Sequence, residues 1–360
     1  MQTMLETIRT LTDIPGVSGD EGKVREQIAA LIADHVESMQ VDALGNLIAF
    51  KKGQKRPAKT ILFSAHMDEV GFIVTHIGED GLLRFSAVGG IDSRVVVGKP
   101  VEVGDKRLAG VIGTKAIHHQ TEKEREEAVS LDKLFIDIGA KDKEEAERHV
   151  SPGDRVIFWS RFTEIGEGNI LARALDDRAG CGVLVDMIQS DLAYDSWFAF
   201  TVQEETGCTG AVTAAYAVAP DVSFVVEATT ASDIGGVAAD KEVCRFGQGP
   251  VISFQDRGTV YDIGLYRLAF EVAKANNIPV QAKQGVAGGN ESRSIQVARS
   301  GAKTLAVSMP CRYLHSPSNM LRVQDIVDTK ELLVKLCEAA GGLNPQTSAP
   351  RFPNKGSRSE

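Results

Sequence analysis

The sequence predicts an α/β fold, a mixed central sheet flanked by helices, with a small β-barrel inserted into it. Residues 60–65 are mostly apolar and carry no charge, which is typical of a strand buried on both faces of a helix-covered sheet. Segments with helical spacing alternate with strand-like runs before residue 70 and after residue 166. Between residues 71 and 162, short alternating segments separated by Gly or Asp turns indicate a barrel or a small sandwich.

Two helices and a hairpin are predicted before the buried strand. Residues 4–11 have helical spacing, and residues 21–36 place their apolar side chains on one face. Ser18 or Asp20 is predicted to cap the second helix. Residues 41–50 alternate and turn through a Gly-Asn pair, which indicates a hairpin.

The inserted barrel accounts for the middle of the chain. A charged stretch, residues 121–127, is predicted to be an exposed loop or helix. The α/β unit is expected to be discontinuous, with residues 1–70 and 164–343 on either side of a barrel of residues 71–163. Residues 344–360 are expected to form a disordered tail. The predicted barrel strands are residues 72–76, 82–87, 94–98, 101–103, 108–112, 134–138 and 155–159.

The α/β pattern returns after residue 166. The predicted strands are residues 195–202, 222–227 and 304–308, and an extended segment covers residues 169–172. The predicted helices are residues 180–189, 211–218, 262–276 and 323–340.

Composition excludes several classes of function. The chain has 360 residues, 43% hydrophobic and 25% charged, and a net charge of -9. This balance argues against nucleic acid and against an anionic membrane as partners. The five cysteines have no paired short spacing, so neither a zinc ribbon nor a disulfide framework is expected. A reducing, cytoplasmic location is expected instead. No apolar run reaches the roughly 20 residues of a membrane span.

Two adjacent carboxylates, Asp176 and Asp177, lie between Arg173 and Arg178 at a predicted strand-to-helix junction. Their charges repel each other unless a cation lies beside them. A metal ion would satisfy them, because one carboxylate can bridge two cations. A solvated loop with an Asp helix cap is the alternative.

Other histidines and carboxylates follow the predicted strands, and together with Asp176 they match the ligands of a two-metal hydrolytic site. Each also has a structural explanation: a histidine satisfied by a neighbouring Asp, a Glu pair at a helix start, a solvent-facing strand end, or a capped loop. The pair His118–His119 in the insert is a further candidate. The residues at strand ends are His66, Asp68, Glu204, Glu205, Glu227 and His315.

At these residues the chain resembles the M42 family of metallo-aminopeptidases, which includes glutamyl and TET aminopeptidases and some members labelled endoglucanase. The resemblance extends over residues 4–340. The motifs that carry it are AHMDEVG at residues 65–71, ALDDR at 174–178, QEETG at 203–207, RYLHS at 312–316, and GGID and GVIG at 89–92 and 110–113.

The resemblance implies a zinc-peptidase-like catalytic domain and a role for each site residue. Asp176 would bridge two divalent ions, Zn²⁺ first and Co²⁺ or Mn²⁺ as alternatives. Glu204 would be the general base, and Asp68 would fix the tautomer of His66. The Asp176–Asp177 peptide bond would be cis. One ion would be completed by His66 and Glu227, and the other by Glu205 and His315.

The chain departs from the family pattern at two places. The last carboxylate ligand is often Asp in the family, and here it is Glu227. The common Gly-Gly-Thr-Asp loop is Gly-Gly-Asn-Glu at residues 288–291, so substrate preference does not transfer. The sequence assigns no substrate-binding residue.

The function expected from these residues is a two-metal aminopeptidase that acts on short peptides. A dinuclear amidohydrolase, either a deacylase or a carboxypeptidase-like enzyme, is the alternative that Glu227 keeps open. A non-enzymatic assembly or carbohydrate-binding module is the third hypothesis, and the complete ligand set argues against it. The resemblance also implies a homo-oligomer, with dimers assembled through the insert into a dodecamer.

Overall fold

The computed structural model describes residues 2–343, so the predicted tail, residues 344–360, lies outside the described residues. Its helices are α1 Gln2–Asp13, α2 Gly22–Ile32, α3 Glu122–Glu126, α4 Lys143–Glu147, α5 Leu175–Gln189, α6 Thr209–Val218, α7 Ile263–Ala275, α8 Ser292–Ile295 and α9 Val323–Gly341. No helix among the described residues is long and apolar enough to cross a membrane.

The strands fall into three groups. The central sheet contains β1 Ser38–Val41, β2 Leu47–Lys51, β3 Ile61–His66, β12 Ser196–Thr201, β13 Val222–Thr230, β14 Val251–Ile252, β15 Gln281–Ala282 and β16 Lys303–Cys311. The barrel contains β4 Gly71–Ile77, β5 Leu83–Val88, β6 Pro100–Val103, β7 Leu108–Gly113, β8 Phe135–Asp137 and β9 Arg155–Phe158. A small sheet contains β10 Thr163–Ile165, β11 Asn169–Ala172 and β17 Asn319–Arg322.

The central sheet is mixed, as predicted. Its strand order is β1-β2-β12-β3-β13-β16-β14-β15. The four strands β12, β3, β13 and β16 are parallel to one another, whereas β1, β2 and β14 introduce antiparallel pairs. Parallel strands end at the same edge of a sheet, so the segments that follow β3, β12 and β16 emerge close together.

Both faces of the central sheet are covered because successive strand side chains point in opposite directions. On β3, Phe63 packs into the cluster that contains residues of α1, α2, α5, α7 and α9. Its neighbour Leu62 packs into a second cluster with Ala211 and Ala215 of α6 and Ile295 of α8. This two-sided burial explains the apolar run that predicted the strand.

The insert forms a closed six-stranded barrel in the order β4-β5-β8-β7-β6-β9, and the sandwich alternative is wrong. Its separate core includes Phe72, Phe85 and Phe158, with ring centroids 4.9 and 5.3 Å from that of Phe72. The predicted strand at residues 94–98 is wrong, because Ser93–Val95 forms a 3-10 helix whose first turn is capped by Asp92. The division of the chain at residues 70/71 and 163/164 stays a prediction.

Three further predictions need correction. Glu21 occupies the N-cap of α2 without a side-chain cap, so neither Ser18 nor Asp20 caps that helix. Strand β13 continues past Glu227 to Thr230, which places Glu227 inside the strand instead of at its end. The small sheet of β10, β11 and β17 was not predicted as a sheet, because its pairings are only three and four residues long and β17 lies far from β11 in sequence.

The cysteines agree with the predicted absence of a disulfide framework. All five belong to the described residues, and all five are buried, unpaired thiols. A thiol buried in apolar surroundings behaves as a small hydrophobic side chain.

Candidate metal centre

The parallel strands bring the predicted site residues to one edge of the central sheet. His66 is the last residue of β3, and its register partner on β12 is Thr201. Glu204 and Glu205 follow β12, Glu227 lies near the end of β13, and His315 follows β16. The sheet therefore places four chain segments around one cavity.

Asp176 follows strand β11 of the small sheet and completes the group. It lies at the start of α5, where Ala174 has φ 55° and the backbone of Asp176 and Asp177 is not helical. The Asp176–Asp177 peptide bond is cis, as the resemblance implies. Oδ1 of Asp176 lies 3.3 Å from Nε2 of His66, and Oδ2 lies 3.4 Å from Nε2 of His315.

The remaining carboxylates divide between the two histidines. Oε2 of Glu227 is 3.7 Å from Nε2 of His66, and Oε1 of Glu205 is 3.4 Å from Nε2 of His315. The two halves therefore each hold one imidazole and one glutamate, with Asp176 between them.

Asp177 belongs to the same cluster, although sequence reasoning gave it no role. Ligand atoms of His66, Asp177 and Glu227 all lie within 4.8 Å of one another, as do those of His66, Asp176 and Glu205. The adjacency of the two aspartates was the available signal. It did not distinguish a ligand from a supporting carboxylate, because that depends on which neighbours the fold places beside each side chain.

Asp68 organises the surroundings of the cluster. Its Oδ1 lies 3.3 Å from Nδ1 of His66, whereas Nε2 of the same ring faces Asp176 and Glu227. The hydroxyl of Ser18 donates to Oδ2 at 2.6 Å, and the amides of Glu204 and Glu205 donate at 3.0 and 3.1 Å. Ser18, which the sequence predicted as a helix cap, thus supports the site instead.

Glu204 and Glu205 lie in a turn, not in an extended segment. Gln203 has φ 56°, and the amides of Gly207 and Cys208 both donate to the Glu204 carbonyl. The thiol of Cys208 donates to Oε1 of Glu204 at 3.1 Å. Because the backbone turns here, neighbouring side chains need not point to opposite sides.

The buried carboxylates of this cluster outnumber its two histidines, so the negative charge of the ionised carboxylates would not be balanced by the imidazoles. Burial raises the pKa of Glu204 and Glu227 and raises that of Glu205 to about 8. Burial lowers the pKa of His315, but the hydrogen bond to Asp176 and the negative charges of Glu205 and Asp176 together outweigh burial and bring the pKa to about 9. Buried carboxylates that keep their protons in this way would lose them to solvent when a cation binds.

The donor set fits divalent metal ions. Imidazole nitrogens and carboxylate oxygens are the ligands of catalytic zinc sites. Oε1 of Glu227 and Oδ2 of Asp177 are buried, and none of the described residues donates a hydrogen bond to either atom. Buried polar atoms are normally paired, so these two oxygens are consistent with coordination.

The cluster lines a cavity of about 320 Å³. Sequence reasoning missed several of its walls, since neither composition nor spacing marks them. They are Thr229 and Thr230 at the end of β13, Lys283, Ala287 and Arg293. A larger cavity of about 550 Å³, between the start of α2 and the barrel, contains none of the predicted site residues. His118 and His119 are exposed on a 3-10 helix and do not line the site.

The loop that departs from the family pattern takes part in this wall. Asn290 lines the cavity and donates through Nδ2 to the hydroxyl of Tyr261 at 3.0 Å. Glu291 is fully buried beneath it and accepts a hydrogen bond from the hydroxyl of Thr201. The change from Thr-Asp in the family to Asn290-Glu291 in this chain therefore alters one residue that lines the cavity and one that is buried behind the lining.

Comparison with known proteins agrees with this geometry. The model of the family described as M42 glutamyl aminopeptidase matches residues 45–332. Lysyl aminopeptidase from Pyrococcus furiosus is 30% identical over 92% of this chain and 96% of its own. Aminopeptidase APDkam598 from Desulfurococcus kamchatkensis superposes with a TM-score of 0.89 at 32% identity, covering 94% of this chain and 95% of that one. The TET1 peptidase of Pyrococcus horikoshii, which can assemble into a tetrahedron or a large octahedral shell, superposes with a TM-score of 0.81 at 36% identity. The match covers 93% of this chain and 99% of that one.

Proposed function

This chain belongs to the M42 glutamyl aminopeptidase family and is a peptide hydrolase, and we propose that it removes N-terminal residues from short peptides with two divalent metal ions. The observation that carries the proposal is the position of Asp176. Its two oxygens face two different histidines, each of which has its own glutamate. One bridging carboxylate between two such halves is what a two-metal hydrolase requires.

The proposed ligands follow from this arrangement. His66 and Glu227 would hold one ion, Glu205 and His315 the other, and Asp176 both. Asp68 would act through His66, because its carboxylate fixes the imidazole ring from the Nδ1 side. Glu227 reaches the cluster from inside β13 with a longer side chain than the more frequent Asp, and the distance of 3.7 Å to His66 is consistent with that ligand role.

When bound, the two ions would supply an activated water and a Lewis acid for the scissile carbonyl. Glu204 would accept the proton of that water and deliver it to the leaving amine. Burial, which raises the pKa of Glu204, suits a group that must hold a proton between the two steps. The acidic cluster around Glu227 would bind the α-ammonium of the substrate, which explains a requirement for a free N-terminus.

The proposal is tested by removing the bridge. In Asp176→Ala, both halves lose their shared ligand, so we expect the protein to lose both ions and all activity. The test measures the number of bound ions per chain by plasma emission spectroscopy, after dialysis against a chelator and reconstitution with Zn²⁺ or Co²⁺. Two tightly bound ions per chain in Asp176→Ala would contradict the assignment.

A second experiment tests whether the cleaved amide must lie next to a free α-amine. An aminoacyl anilide and an N-acyl amino acid present the same amide chemistry, but only the first has a free α-amine. We expect the metal-reconstituted protein to cleave the anilide. Cleavage of the N-acyl amino acid instead would favour the alternative amidohydrolase function that the longer Glu227 side chain left open.

We further propose a homo-oligomer built through the barrel. The TET1 relative forms closed shells, and this chain carries exposed apolar side chains on the barrel, including Ile117 and Trp159. Enclosure in a shell would admit short or unfolded peptides and exclude folded proteins. The reducing, cytoplasmic location stays a prediction, which the five unpaired cysteines support.

A further inference from the structure

Cys208 is a buried thiol in the cavity wall that the proposed chemistry does not use. It is 4% exposed and occupies the N-cap of α6. An N-cap side chain usually accepts a hydrogen bond from the first helical amides, but the side chain of Cys208 does not cap α6. Its Sγ instead donates to Oε1 of Glu204 at 3.1 Å. The thiol is therefore directed at the proposed general base.

The carboxylate of Glu204 depends on this thiol for its orientation. The amide of Glu204 donates to Oδ1 of Asp68 at 3.0 Å, which fixes the main chain. Several rotatable bonds separate that amide from the carboxylate, so the main-chain contact leaves the oxygens free to move. Among residues 2–343, Cys208 is the only residue that donates a hydrogen bond to the Glu204 carboxylate, and it donates to Oε1 alone.

The backbone of Cys208 is held firmly enough to aim its side chain. Its amide donates to the carbonyl of Glu204 at 2.8 Å, and its own carbonyl accepts from the hydroxyl of Ser294 at 3.2 Å. Its φ is 59°, a conformation that glycine adopts more readily than a residue with a side chain. Glycine would suit this backbone but has no side chain that could reach Glu204.

Two other roles of a thiol in an active site do not fit Cys208. Burial raises the pKa of the thiol, so it stays protonated, whereas a nucleophilic cysteine acts as the thiolate. Cys208 also belongs to neither of the ligand groups found among the described residues. What remains is a neutral S–H group that donates one hydrogen bond.

We propose that Cys208 is a positioning residue for Glu204: its S–H holds Oε1 and leaves Oε2 free to accept the proton of the attacking water. The inference rests on the proposed function, in which Glu204 is the base. A thiol is a weak donor, so it orients the carboxylate while stabilising its charge less than a hydroxyl would. A base oriented in advance reacts faster than one that must first find its geometry.

The first test removes the thiol without disturbing the backbone. In Cys208→Gly, which suits the φ of 59°, we expect kcat for an aminoacyl p-nitroanilide to fall about 10-fold, the effect of one hydrogen bond. KM, the metal content and the melting temperature of the metal-loaded protein should stay close to wild type. Cys208→Ala should behave in the same way, and Cys208→Ser, which keeps a donor, should restore most of the rate.

Cys337→Ala is the matched control, because Cys337 is a buried thiol on α9 that does not line the cavity. It should keep the wild-type kcat. Full kcat in Cys208→Gly beside an active wild type would overturn the inference alone. A metal-loaded wild-type protein that cleaves no anilide would refute the proposed function, and the inference with it.

A double-mutant cycle separates positioning from a merely structural role. In a Glu204→Gln background the base is already absent, so adding Cys208→Gly should lower kcat no further. A further loss of about 10-fold in the double variant would show that Cys208 acts independently of Glu204, which would overturn the inference.

Infrared spectroscopy tests the contact apart from turnover. The S–H stretching band of Cys208 is obtained as the difference between the spectra of the metal-loaded wild type and Cys208→Ser. This band should move to higher frequency in Glu204→Gln, because an amide oxygen is a weaker acceptor than a carboxylate. A band at the same frequency in both backgrounds would mean that the thiol does not bind the carboxylate and would overturn the inference.

Discussion

Asp68 shows how one buried carboxylate arranges several functional groups. It is completely buried, yet it has partners from three separate segments: Ser18, His66 and the amides at Glu204 and Glu205. Hydrogen bonds and the charge of His66 outweigh desolvation, so its pKa lies below the ordinary value and the group stays ionised. Asp68 therefore orients one proposed ligand and the turn that carries the proposed base.

At the same scale, the two adjacent glutamates should separate binding from catalysis. Glu204→Gln keeps the shape of the side chain and removes the base, so we expect both metals to remain and kcat to fall by about 10²–10⁴-fold. Glu205→Gln should weaken the ion near His315, because Oε1 of Glu205 lies 3.4 Å from that imidazole. Excess metal should then recover part of the rate.

Metal content and kcat are to be measured side by side on both variants. Thermal unfolding of each metal-loaded variant controls for loss of fold. Loss of metal in Glu204→Gln together with full occupancy in Glu205→Gln would mean that the two roles are exchanged.

At the scale of elements, the β1–β2 hairpin is fastened to α6 by one carboxylate. Oδ1 of Asp42 accepts from the amides of Leu44, Gly45 and Asn46, and Oδ2 accepts from the side chains of Asn46 and Thr213. Asn46 in turn donates to the carbonyl of Gly210 and accepts from the amide of Val202. The hairpin thus supports the turn that follows β12.

This contact predicts a pH-dependent contribution to stability. Desolvation raises the pKa of Asp42, but its hydrogen bonds to Asn46, Thr213 and Gly45 outweigh it, and the net pKa is lowered. The ionised form therefore stabilises the folded chain above the unfolded pKa of about 3.9, and this contribution is lost as pH falls through the lower folded pKa. Asp42→Asn should unfold at a lower temperature than wild type at pH 7, and the difference should narrow below about pH 4.

Melting temperatures of both proteins across pH 3 to 7, measured with metal removed so that ligand protonation does not contribute, are the relevant data. Asp34→Asn is a suitable control, because Asp34 is an exposed carboxylate that accepts no hydrogen bond from any of residues 2–343. A difference between Asp42→Asn and wild type that stays constant over this range would contradict the prediction.

At the scale of the whole molecule, the barrel should determine assembly. Trp159 and Ile117 are 49% and 60% exposed, so both side chains are available for contact with another subunit. We expect light scattering of the metal-loaded protein at micromolar concentration to show a large homo-oligomer, and Trp159→Glu with Ile117→Glu to shift it to smaller species.

Tyr216→Glu provides the comparison, since Tyr216 on α6 is 62% exposed outside the barrel. It should leave the assembly intact. A wild-type protein that is only monomeric under these conditions, or equal disruption by Tyr216→Glu, would contradict assembly through the barrel.

Local sequence signals were sufficient for most of the elements and for choosing most of the candidate ligands. The apolar run of β3 and the 3.6-residue spacing of α2, α7 and α9 are set by burial on one or two faces, which repeats along the chain and is visible without a partner. His66 and His315 could be selected because polar residues after buried strands collect at one edge of a parallel sheet, whereas Asp176 was marked by the adjacent carboxylate of Asp177. The family resemblance then identified motifs that periodicity does not assign.

The tertiary structure decided the contacts between segments that no local pattern encodes. Ser18 hydrogen-bonds Asp68 instead of capping α2, Asp177 joins the candidate metal cluster, and the backbone turns at Gln203 so that both glutamates reach the cavity. Lys283 has an ordinary setting in the sequence, and only packing shows it to be a buried cation with no ion-pair partner among residues 2–343. The physical reason is that hydrophobic periodicity reports which face of an element is buried, whereas the energy of a polar site depends on which distant groups share that burial.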